Sequence, residues 1–586
     1  MKSKLLLILL LLLSLTLLFG CNDDNPEETD TTETTAEQVA ADVAFVSGGE
    51  LKFTIITPMN RTENERLQAD IVANCFERYV GTRPEIKRFN DRKDTYDEAT
   101  LEIVLGNVEY AVTDTVAVPN AYDAYAIQLI GNKLYIKAEN DRNLPDAVSA
   151  LVKVIAKVYK DGELVIEGNF LQTGSGTDKL LAPLGGVPCF DGDLAAISDC
   201  ADGFTQMTYK NTEDADLTAY TQSLEAEGFT KHASNDLNGN RFFTYTKNQQ
   251  TVHVYHTPHN GETRVIGGKN AILPATETVK YKKVCDETAV LLGAGEAFGL
   301  IVRLEDGSFL IFDGGNEEEK MAQEIQLYLQ ALAPDKKNVV IRAWVITHAH
   351  GDHYGGFKEF SETRMNPESA KYDATFHLEN IIMNLCDSEE QVATMGAGSF
   401  DAVRNVISKY HANTPVYKCF TGQVFYFAGV EMEVLTCMSD LLPTVIGYEK
   451  MKDVDLSRVD GNLQSIVVRL KMQNQSLMVT GDVSKILVDE MCDRFGSYLK
   501  TDILCVPHHG HNEDRYRARN GTVEFYTLVD PETALWPASV DGQQRRMEWN
   551  GKSGGNYEAN YTLVNKLHLK TLIVAGDESK VVKLTK

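Results

Sequence analysis

Positive charge, regularly spaced cysteines and long hydrophobic runs are all scarce in this sequence of 586 residues. It has 57 Lys and Arg against 84 Asp and Glu, which gives a formal net charge of −27. Proteins that bind the phosphate backbone of nucleic acids draw on clustered basic residues. The acidic balance therefore argues against a nucleic-acid partner, and a polyanionic substrate would need a local basic patch or a metal ion.

The cysteines follow no recognisable pattern. Nine remain beyond Cys21, with no C-x-x-C pair and no regular spacing, so neither a zinc ribbon nor a disulfide scaffold is indicated. Most are expected to be buried thiols. Cys189 and Cys200 flank a short acidic segment and are the candidate disulfide pair if the protein resides in an oxidising compartment.

The N-terminal hydrophobic run spans fifteen residues, from Leu5 to Phe19. A membrane-spanning helix needs about 20 apolar residues, so we predict a secretion signal. Leu18-Phe19-Gly20-Cys21 resembles the bacterial lipoprotein cleavage box. The resemblance implies a signal peptide over 1–21, a lipid on Cys21 and anchoring to a membrane of the bacterial cell envelope, with the outer membrane or cell surface favoured. An ordinary cleaved signal or an uncleaved anchor stays open.

The chain after Cys21 divides into a tether and several expected domains, because a domain typically has about 100–200 residues. Residues 22–41 are polar and acidic and predict a disordered tether. Mixed patterns predict an α/β domain over 42–175 and a small α+β domain over 190–275, and the first resembles the accessory domains that precede the barrel of several glycoside hydrolases. The elements predicted for the first domain are a helix over 63–79 with Leu67, Ile71, Val72, Cys75 and Phe76 on one face, a hairpin turning at Gly131-Asn132, and a helix over 144–158. For the second domain they are a helix over 216–227 and strands over 241–247, 251–257 and 264–266.

Four side chains of metal-ligand type follow one predicted strand. The apolar run 339–346 leads through Thr347 into His348-Ala349-His350-Gly351-Asp352-His353. Such side chains are costly to bury unless they coordinate something. Alternation along the chain lets His348 and His350 converge on one cation, while Asp352 and His353 are placed to hold a second. The segment therefore predicts a site for two cations.

This H-x-H-x-D-H pattern resembles the signature of the metallo-β-lactamase superfamily, and the resemblance covers residues 281–586. It implies an α/β hydrolase domain built as a four-layer αβ/βα sandwich, with the metals at one edge of two packed sheets, after the two small domains. The implied ligands are His348 and His350 for metal one, Asp352, His353 and one of His508 and His509 for metal two, with His509 favoured, and Asp482 as the bridge between the metals.

The same resemblance implies supporting roles. Asp313, at the end of a predicted strand, and Thr347 would orient the ligands without binding metal. His508 or His511 would stabilise an oxyanion or protonate the leaving group. Together with Asp352, these two histidines are the implied catalytic residues.

One departure from the superfamily pattern concerns metal one. The superfamily usually supplies a third histidine between the metal loop and the bridging aspartate. Here the histidines between the loop and Asp482 are His377 and His411, neither in a familiar context. Metal one is therefore either incomplete or completed by a polar side chain such as Asn462.

Three further motifs indicate a branch of the superfamily. Asn-x-x-Ser before an apolar strand, Thr-Gly-Asp at 480–482 and Pro-His-His-Gly at 507–510 resemble the hydrolase domains of competence-type DNA-uptake proteins and the phosphorylcholine esterases of bacterial cell walls. These relatives imply hydrolysis of a phosphodiester in a small molecule or a cell-envelope polymer, by attack of a metal-bridging hydroxide. Arg545 and Arg546 in the tail are suited to a phosphate.

Several alternatives stay open. Zinc is the expected metal because the ligands are rich in imidazole, and manganese or iron would also fit the carboxylates. Acyl-ester, lactone and β-lactam hydrolysis are compatible with the same fold. Two rivals come from other classes. One is a non-catalytic surface lipoprotein that binds glycan or another envelope polymer and holds its metals for structure alone, and the other is an assembly or scaffold protein whose two N-terminal domains do the work.

Overall fold

The computed structural model describes residues 40–385, 400–442, 461–511, 521–547 and 558–584. The predicted signal peptide, Cys21 and nearly all of the predicted tether lie outside these ranges. Within them, no helix has both the length and the apolar character needed to cross a membrane.

Residues 40–175 form two sheets and two α-helices, with a main apolar core and a smaller buried cluster that includes Ile56 and Tyr135. Helix α1 begins after Thr62, whose hydroxyl accepts a hydrogen bond from the backbone of Glu65 while the Glu65 carboxylate accepts one from Thr62, a capping box. The predicted buried face of this helix is partly wrong, because Leu67 and Ile71 are 45% and 46% exposed. The helices are α1 (Glu63–Val80) and α2 (Leu144–Val158). The strands are β1 (Val43–Ser47), β2 (Glu50–Leu51), β3 (Thr54–Pro58), β4 (Ile86–Phe89), β5 (Glu102–Leu105), β6 (Ala124–Ile130), β7 (Lys133–Ala138), β8 (Leu164–Ile166) and β9 (Leu171–Ser175), in the orders β2-β1-β8 and β4-β3-β5-β7-β6-β9.

The next unit is an antiparallel sheet of six strands with one helix, α3 (Asp214–Ala226). Cys189 and Cys200, the candidate disulfide pair, are both free thiols here. The strands are β10 (Asp193–Asp199), β11 (Phe204–Lys210), β12 (Thr230–Leu237), β13 (Asn240–Lys247), β14 (Gln250–Thr257) and β15 (Glu262–Lys269), in the order β10-β11-β15-β14-β13-β12.

The C-terminal part contains two large sheets packed face to face. The first sheet has the order β22-β21-β19-β18-β17-β16-β30, with β20 also paired to β19. Its strands are β16 (Thr288–Leu291), β17 (Gly299–Arg303), β18 (Phe309–Asp313), β19 (Val339–Val345), β20 (Phe376–Leu378), β21 (Ile381–Met383), β22 (Val416–Lys418) and β30 (Lys580–Lys583). Its helices are α4 (Glu319–Leu332), α5 (Gly351–Thr363) and α6 (Phe400–Tyr410).

The second sheet has the order β23-β24-β25-β26-β27-β28-β29. Its strands are β23 (Val424–Phe427), β24 (Val430–Thr436), β25 (Val467–Lys471), β26 (Ser476–Val479), β27 (Ile503–Cys505), β28 (Thr533–Trp536) and β29 (Thr571–Val574), and its helices are α7 (Lys485–Phe495), α8 (Val523–Val529), α9 (Val540–Arg545) and α10 (Glu558–Asn565). Apolar side chains such as Leu300 and Val434 fill the space between the sheets, and a second core lies under the helices. The arrangement is an αβ/βα sandwich, as predicted.

A buried polar network joins the six-stranded sheet to the sandwich. At its centre, Asp440 is fully buried and accepts hydrogen bonds from Arg494 Nη1 at 2.8 Å and from Tyr255 OH at 2.7 Å. Arg264 lies 3.7 Å from the same carboxylate and pairs with Glu262 at 3.1 Å. We call this set, completed by Glu490, the interface network; its members are Tyr255, Glu262, Arg264, Asp440, Glu490 and Arg494. Since the two parts also share apolar core, the six-stranded sheet is packed into the body that carries the site.

Candidate metal centre

The predicted ligand residues all follow strands that end at one edge of the sandwich. Strand β19 ends at Val345 and leads directly into the metal loop and helix α5. Its parallel neighbour β18 ends at Asp313. In the second sheet, Asp482 follows β26, and its parallel neighbour β27 leads to the two histidines His508 and His509. Because the carboxyl ends of parallel strands lie at the same edge, residues far apart in sequence meet there.

The potential ligand atoms of the described residues form three clusters, of which two share the carboxylate of Asp482 and the third is Asp313, His348 and His353. The first cluster is His348, His350 and Asp482, and the second cluster is Asp352, His353, Asp482 and His509; within each, the ligand atoms lie within 4.8 Å of one another. Asp482 Oδ1 lies 3.1 Å from His353 Nε2, and its Oδ2 lies 3.9 Å from His348 Nε2. The predicted bridging residue thus lies between the two groups.

Nε2 of three imidazoles in the clusters lies 3.1–3.9 Å from the Asp482 carboxylate. Nε2 of His348, His353 and His509 is buried in each case and makes no hydrogen bond. Buried polar atoms are normally paired, and an orphaned one costs about 1–3 kcal/mol. Three such atoms around one carboxylate fit a bound cation, since imidazole nitrogen and carboxylate oxygen are the donors that zinc and related metals take.

The buried groups of the clusters have pKa values shifted in opposite directions. Burial, assisted by the neighbouring His353, holds the pKa of His348 well below its usual value. Burial opposes ionisation of Asp482, but His353 and His509 outweigh it and hold the pKa of that carboxyl well below its usual range. Burial opposes protonation of His353 and His509, but Asp482 outweighs it, holding the pKa of His353 well above its usual value and raising that of His509 to about 9. Since a neutral imidazole and an ionised carboxylate are the forms that coordinate metal, cation binding would displace protons from these two histidines.

Asp313 makes hydrogen bonds to the loop and helix that carry the candidate ligands. Its carboxylate accepts hydrogen bonds from Thr347 N at 2.8 Å and from Thr347 Oγ1 at 2.6 Å, and it lies 2.8 Å from His353 Nδ1. Asp313 adopts a left-handed backbone conformation, φ 54°, and its carbonyl accepts from the buried indole of Trp344. With Nδ1 of His353 held in this way, Nε2 is the atom left to face a cation.

Neither of the two histidines between the metal loop and Asp482 lies at the first cluster, so neither takes the place of the superfamily's third histidine. His377 is exposed on β20, which pairs with the start of β19, away from the metal loop. His411 is buried, stacks on Phe357 and lies 2.8 Å from Ser361 Oγ, and burial lowers its pKa to about 4.

Asn462, by contrast, lies at the clusters. It belongs to the turn Gly461–Gln464, and a Cβ added to Gly461 would lie 2.6 Å from His350 Nε2. Its Nδ2 is 3.5 Å from Nε2 of His508. The polar side chain suggested by the sequence is therefore within the site.

His508, His509 and His511 have three different environments. His509 is in the second cluster, with its Nδ1 2.8 Å from the carbonyl oxygen of Pro537. His508 lies outside both clusters, although its Nε2 is 3.6 Å from Asp482 Oδ2. His511 Nε2 lies 2.6 Å from Arg546 Nη2; burial and this guanidinium lower the pKa of His511 to about 4.

The tail contributes contacts that the sequence did not reveal. A guanidinium has donors alone, so His511 Nε2 accepts from Arg546 and the proton of the neutral ring is on Nδ1. The Arg546 side chain is 7% exposed and also pairs with Glu296 at 2.5 Å, so it is turned inward, whereas Arg545 is exposed. The phosphate role suggested for Arg546 is thus not favoured by its position.

A family model matches part of the sandwich. Residues 294–410 match the family model described as the metallo-beta-lactamase superfamily. The sandwich and this match together indicate a metallo-β-lactamase domain in the C-terminal part of the chain, and the predicted fold class is confirmed. A search among curated proteins finds no match.

Two solved structures illustrate the similarity. CmlA, a diiron β-hydroxylase from Streptomyces venezuelae, is 12% identical, with a TM-score of 0.30 over 52% of this chain and 55% of CmlA. The MIM-2 metallo-β-lactamase is 12% identical, with a TM-score of 0.21 over 37% of this chain and 75% of that enzyme. The chain thus spans about half the length of CmlA.

Proposed function

We propose that the protein is a metal-dependent hydrolase that binds two divalent cations and acts on a phosphodiester-type substrate of the cell envelope or the extracellular space. The observation that carries the proposal is the pair of ligand clusters joined by Asp482. Two cations about 3.5–4 Å apart are the usual arrangement in metallohydrolases that cleave phosphate esters.

Each residue of the centre has a role in this proposal. His348, His350 and Asp482 would hold one cation, with the side chain of Asn462 nearby as the candidate fourth ligand in place of the third histidine. Asp352, His353, His509 and Asp482 would hold the other. The bound cations supply Lewis-acid activation of water and of the scissile group.

The protein contributes orientation and hydrogen bonding beyond the ligands. Asp313 fixes His353, and Pro537 O fixes His509, so both imidazoles present Nε2 to the centre. His508 lies beside Asp482 without belonging to either cluster, and His511 offers a hydrogen-bond donor at Nδ1. These two side chains are the candidates to contact a developing negative charge on the substrate.

The substrate class and the location rest on sequence resemblance. Thr-Gly-Asp at 480–482 and Pro-His-His-Gly at 507–510 support a phosphodiester rather than a β-lactam, and zinc is proposed, with manganese or iron as alternatives. The proposed lipid anchor at Cys21 would hold the protein to a membrane of the cell envelope, near a polymer or small-molecule substrate.

Metal content and turnover test the proposal on the soluble chain lacking residues 1–21. Elemental analysis should find two equivalents of metal, and bis-p-nitrophenyl phosphate should be hydrolysed. His350→Ala and Asp482→Ala should abolish turnover, whereas His411→Ala, which removes a buried histidine outside both clusters, should retain the metals. Two metals without turnover of any phosphodiester would instead favour the polymer-binding lipoprotein, and fewer than two metals would refute the dinuclear centre.

A further inference from the structure

The turn that carries His509 is strained. His508 and His509 both have left-handed backbones, with φ 47° and 53°. Side chains with a Cβ adopt this region at an energetic cost, and such residues persist when their surroundings hold them. Contacts from outside the turn must therefore fix the position of the His509 imidazole.

Most of the contacts that hold this turn come from Trp536 and Arg546, in the C-terminal part of the chain. The carbonyl oxygen of His509 accepts two hydrogen bonds, one from Trp536 Nε1 and one from Arg546 Nη1, both at 2.8 Å. On the other side, His508 N donates to the carbonyl of Gly481 at 3.1 Å. Trp536 is a large core side chain, so its indole also fills volume, but Arg546 reaches the turn through its guanidinium.

Arg546 is oriented so that one guanidinium serves three acceptors. Besides His509 O, it donates to Glu296 Oε2 at 2.5 Å and to His511 Nε2 at 2.6 Å. Glu296 is itself held by Ser539, whose hydroxyl donates to Oε1 at 2.6 Å. The guanidinium presents its donors from separate nitrogens of one rigid plane, whereas a lysine ammonium presents its three donors from a single atom on a flexible stem.

We propose that Arg546 is a positioning residue for the second cluster: it fixes the strained turn through the carbonyl oxygen of His509 and so sets the place of the His509 imidazole. This inference rests on the proposed function, because it takes His509 to be a metal ligand. Outer partners of metal ligands typically change metal affinity by 10- to 100-fold when they are removed. His348 and His350 make no contact with Arg546 among the described hydrogen bonds, so the effect should be confined to one of the two cations.

The test compares Arg546→Met with Arg545→Met. Arg545 is the exposed neighbour on the same segment, so its replacement removes an equal charge and leaves the turn untouched. The two metal dissociation constants of the soluble chain are measured by competition with a chromophoric zinc chelator, a readout that does not depend on turnover. Arg546→Met should weaken one equivalent by about 10- to 100-fold and leave the other within about twofold. Arg545→Met should leave both equivalents within about twofold of wild type.

Arg546→Lys is the second variant, and it keeps the test valid if Arg546→Met does not fold. It keeps a positive charge opposite Glu296 but loses the fork, so the same selective weakening is expected. If Arg546 served only to pair with Glu296, the lysine variant would bind both metals as wild type does, and the inference would be overturned. Equal weakening of both equivalents in Arg546→Met would also overturn it. A wild-type chain that binds fewer than two metals would refute the proposed function itself.

Discussion

The interface network gives the sharpest prediction about stability. Replacing Asp440 by Ala removes a fully buried carboxylate that accepts hydrogen bonds from Arg494, Tyr255, Thr421 and Thr436 at 2.7–2.8 Å. Breaking a buried ion pair from one side typically costs about 3–5 kcal/mol, because the partner charge stays buried without compensation. We expect a loss of that size in the free energy of unfolding.

Differential scanning calorimetry of the soluble chain can measure this loss. A cooperative unit of roughly 390 residues has an unfolding entropy of about 0.8 kcal/mol/K, so the expected loss lowers its melting temperature by about 4–6 °C. The six-stranded sheet and the sandwich should melt together, since they share the network and apolar core. Lys570→Ala, which breaks an exposed ion pair with Glu532, is the control and should move the melting temperature by little.

Two results would contradict this prediction. A shift below about 1 °C in Asp440→Ala would mean that water or rearranged side chains compensate the two arginines, contrary to their burial. Separate melting of the six-stranded sheet in the wild-type chain would show that the network does not couple the two parts.

Three further predictions concern the pH dependence of stability, close packing at Gly356, and Asn462 as a candidate ligand. Burial and the neighbouring Glu305 raise the pKa of Glu287 to about 7. Because this folded-state pKa exceeds the unfolded value of about 4.3, stability is lost as pH rises from the unfolded to the folded pKa. Glu287→Gln should therefore raise the melting temperature more at pH 8 than at pH 4.5. Gly356→Ala would place a Cβ 2.0 Å from the carbonyl oxygen of Gly314, so urea unfolding should show a loss of about 1–3 kcal/mol or more in the free energy of unfolding. In the control Gly351→Ala, the new Cβ meets no atom within 4 Å, so the free energy of unfolding should stay unchanged. Asn462→Ala should weaken one metal equivalent by roughly tenfold while exposed His377→Ala leaves both unchanged, as a chelator competition would show.

Local patterns predicted the elements of the fold well where the periodicity was strong. The helix expected over 144–158 is α2, and the hairpin expected at Gly131-Asn132 joins β6 to β7, with Gly131 in the positive-φ conformation that such a turn requires. The buried face of α1 was harder to predict, because its apolar residues lie on more than one face of the helix. Ala69 and Ala73 pack inward, and the larger Leu67 and Ile71 remain exposed.

The candidate ligands could be predicted because they follow strands of two sheets that end at one edge of the sandwich. His348, His350, Asp352 and His353 are adjacent in sequence, so one loop brings them together whatever the rest of the fold does. Asp482 and His509 required a known arrangement of the sheets, which the resemblance supplied. That these side chains bind metal stays a prediction for the metal analysis to test.

The residues that hold the His508-His509 turn could not be predicted, and the reason is physical. Arg546 and Asn560 reach the turn through backbone carbonyls, those of His509 and Gly510, at 2.8 Å each. A carbonyl accepts a hydrogen bond whatever its side chain, so nothing in Pro-His-His-Gly specifies the identity or position of its donors. The donors are set only when the second sheet closes and brings the tail against the end of β27. It follows that changes at Arg546 or Asn560, which resemble surface-loop changes in the sequence, should act on the metal centre.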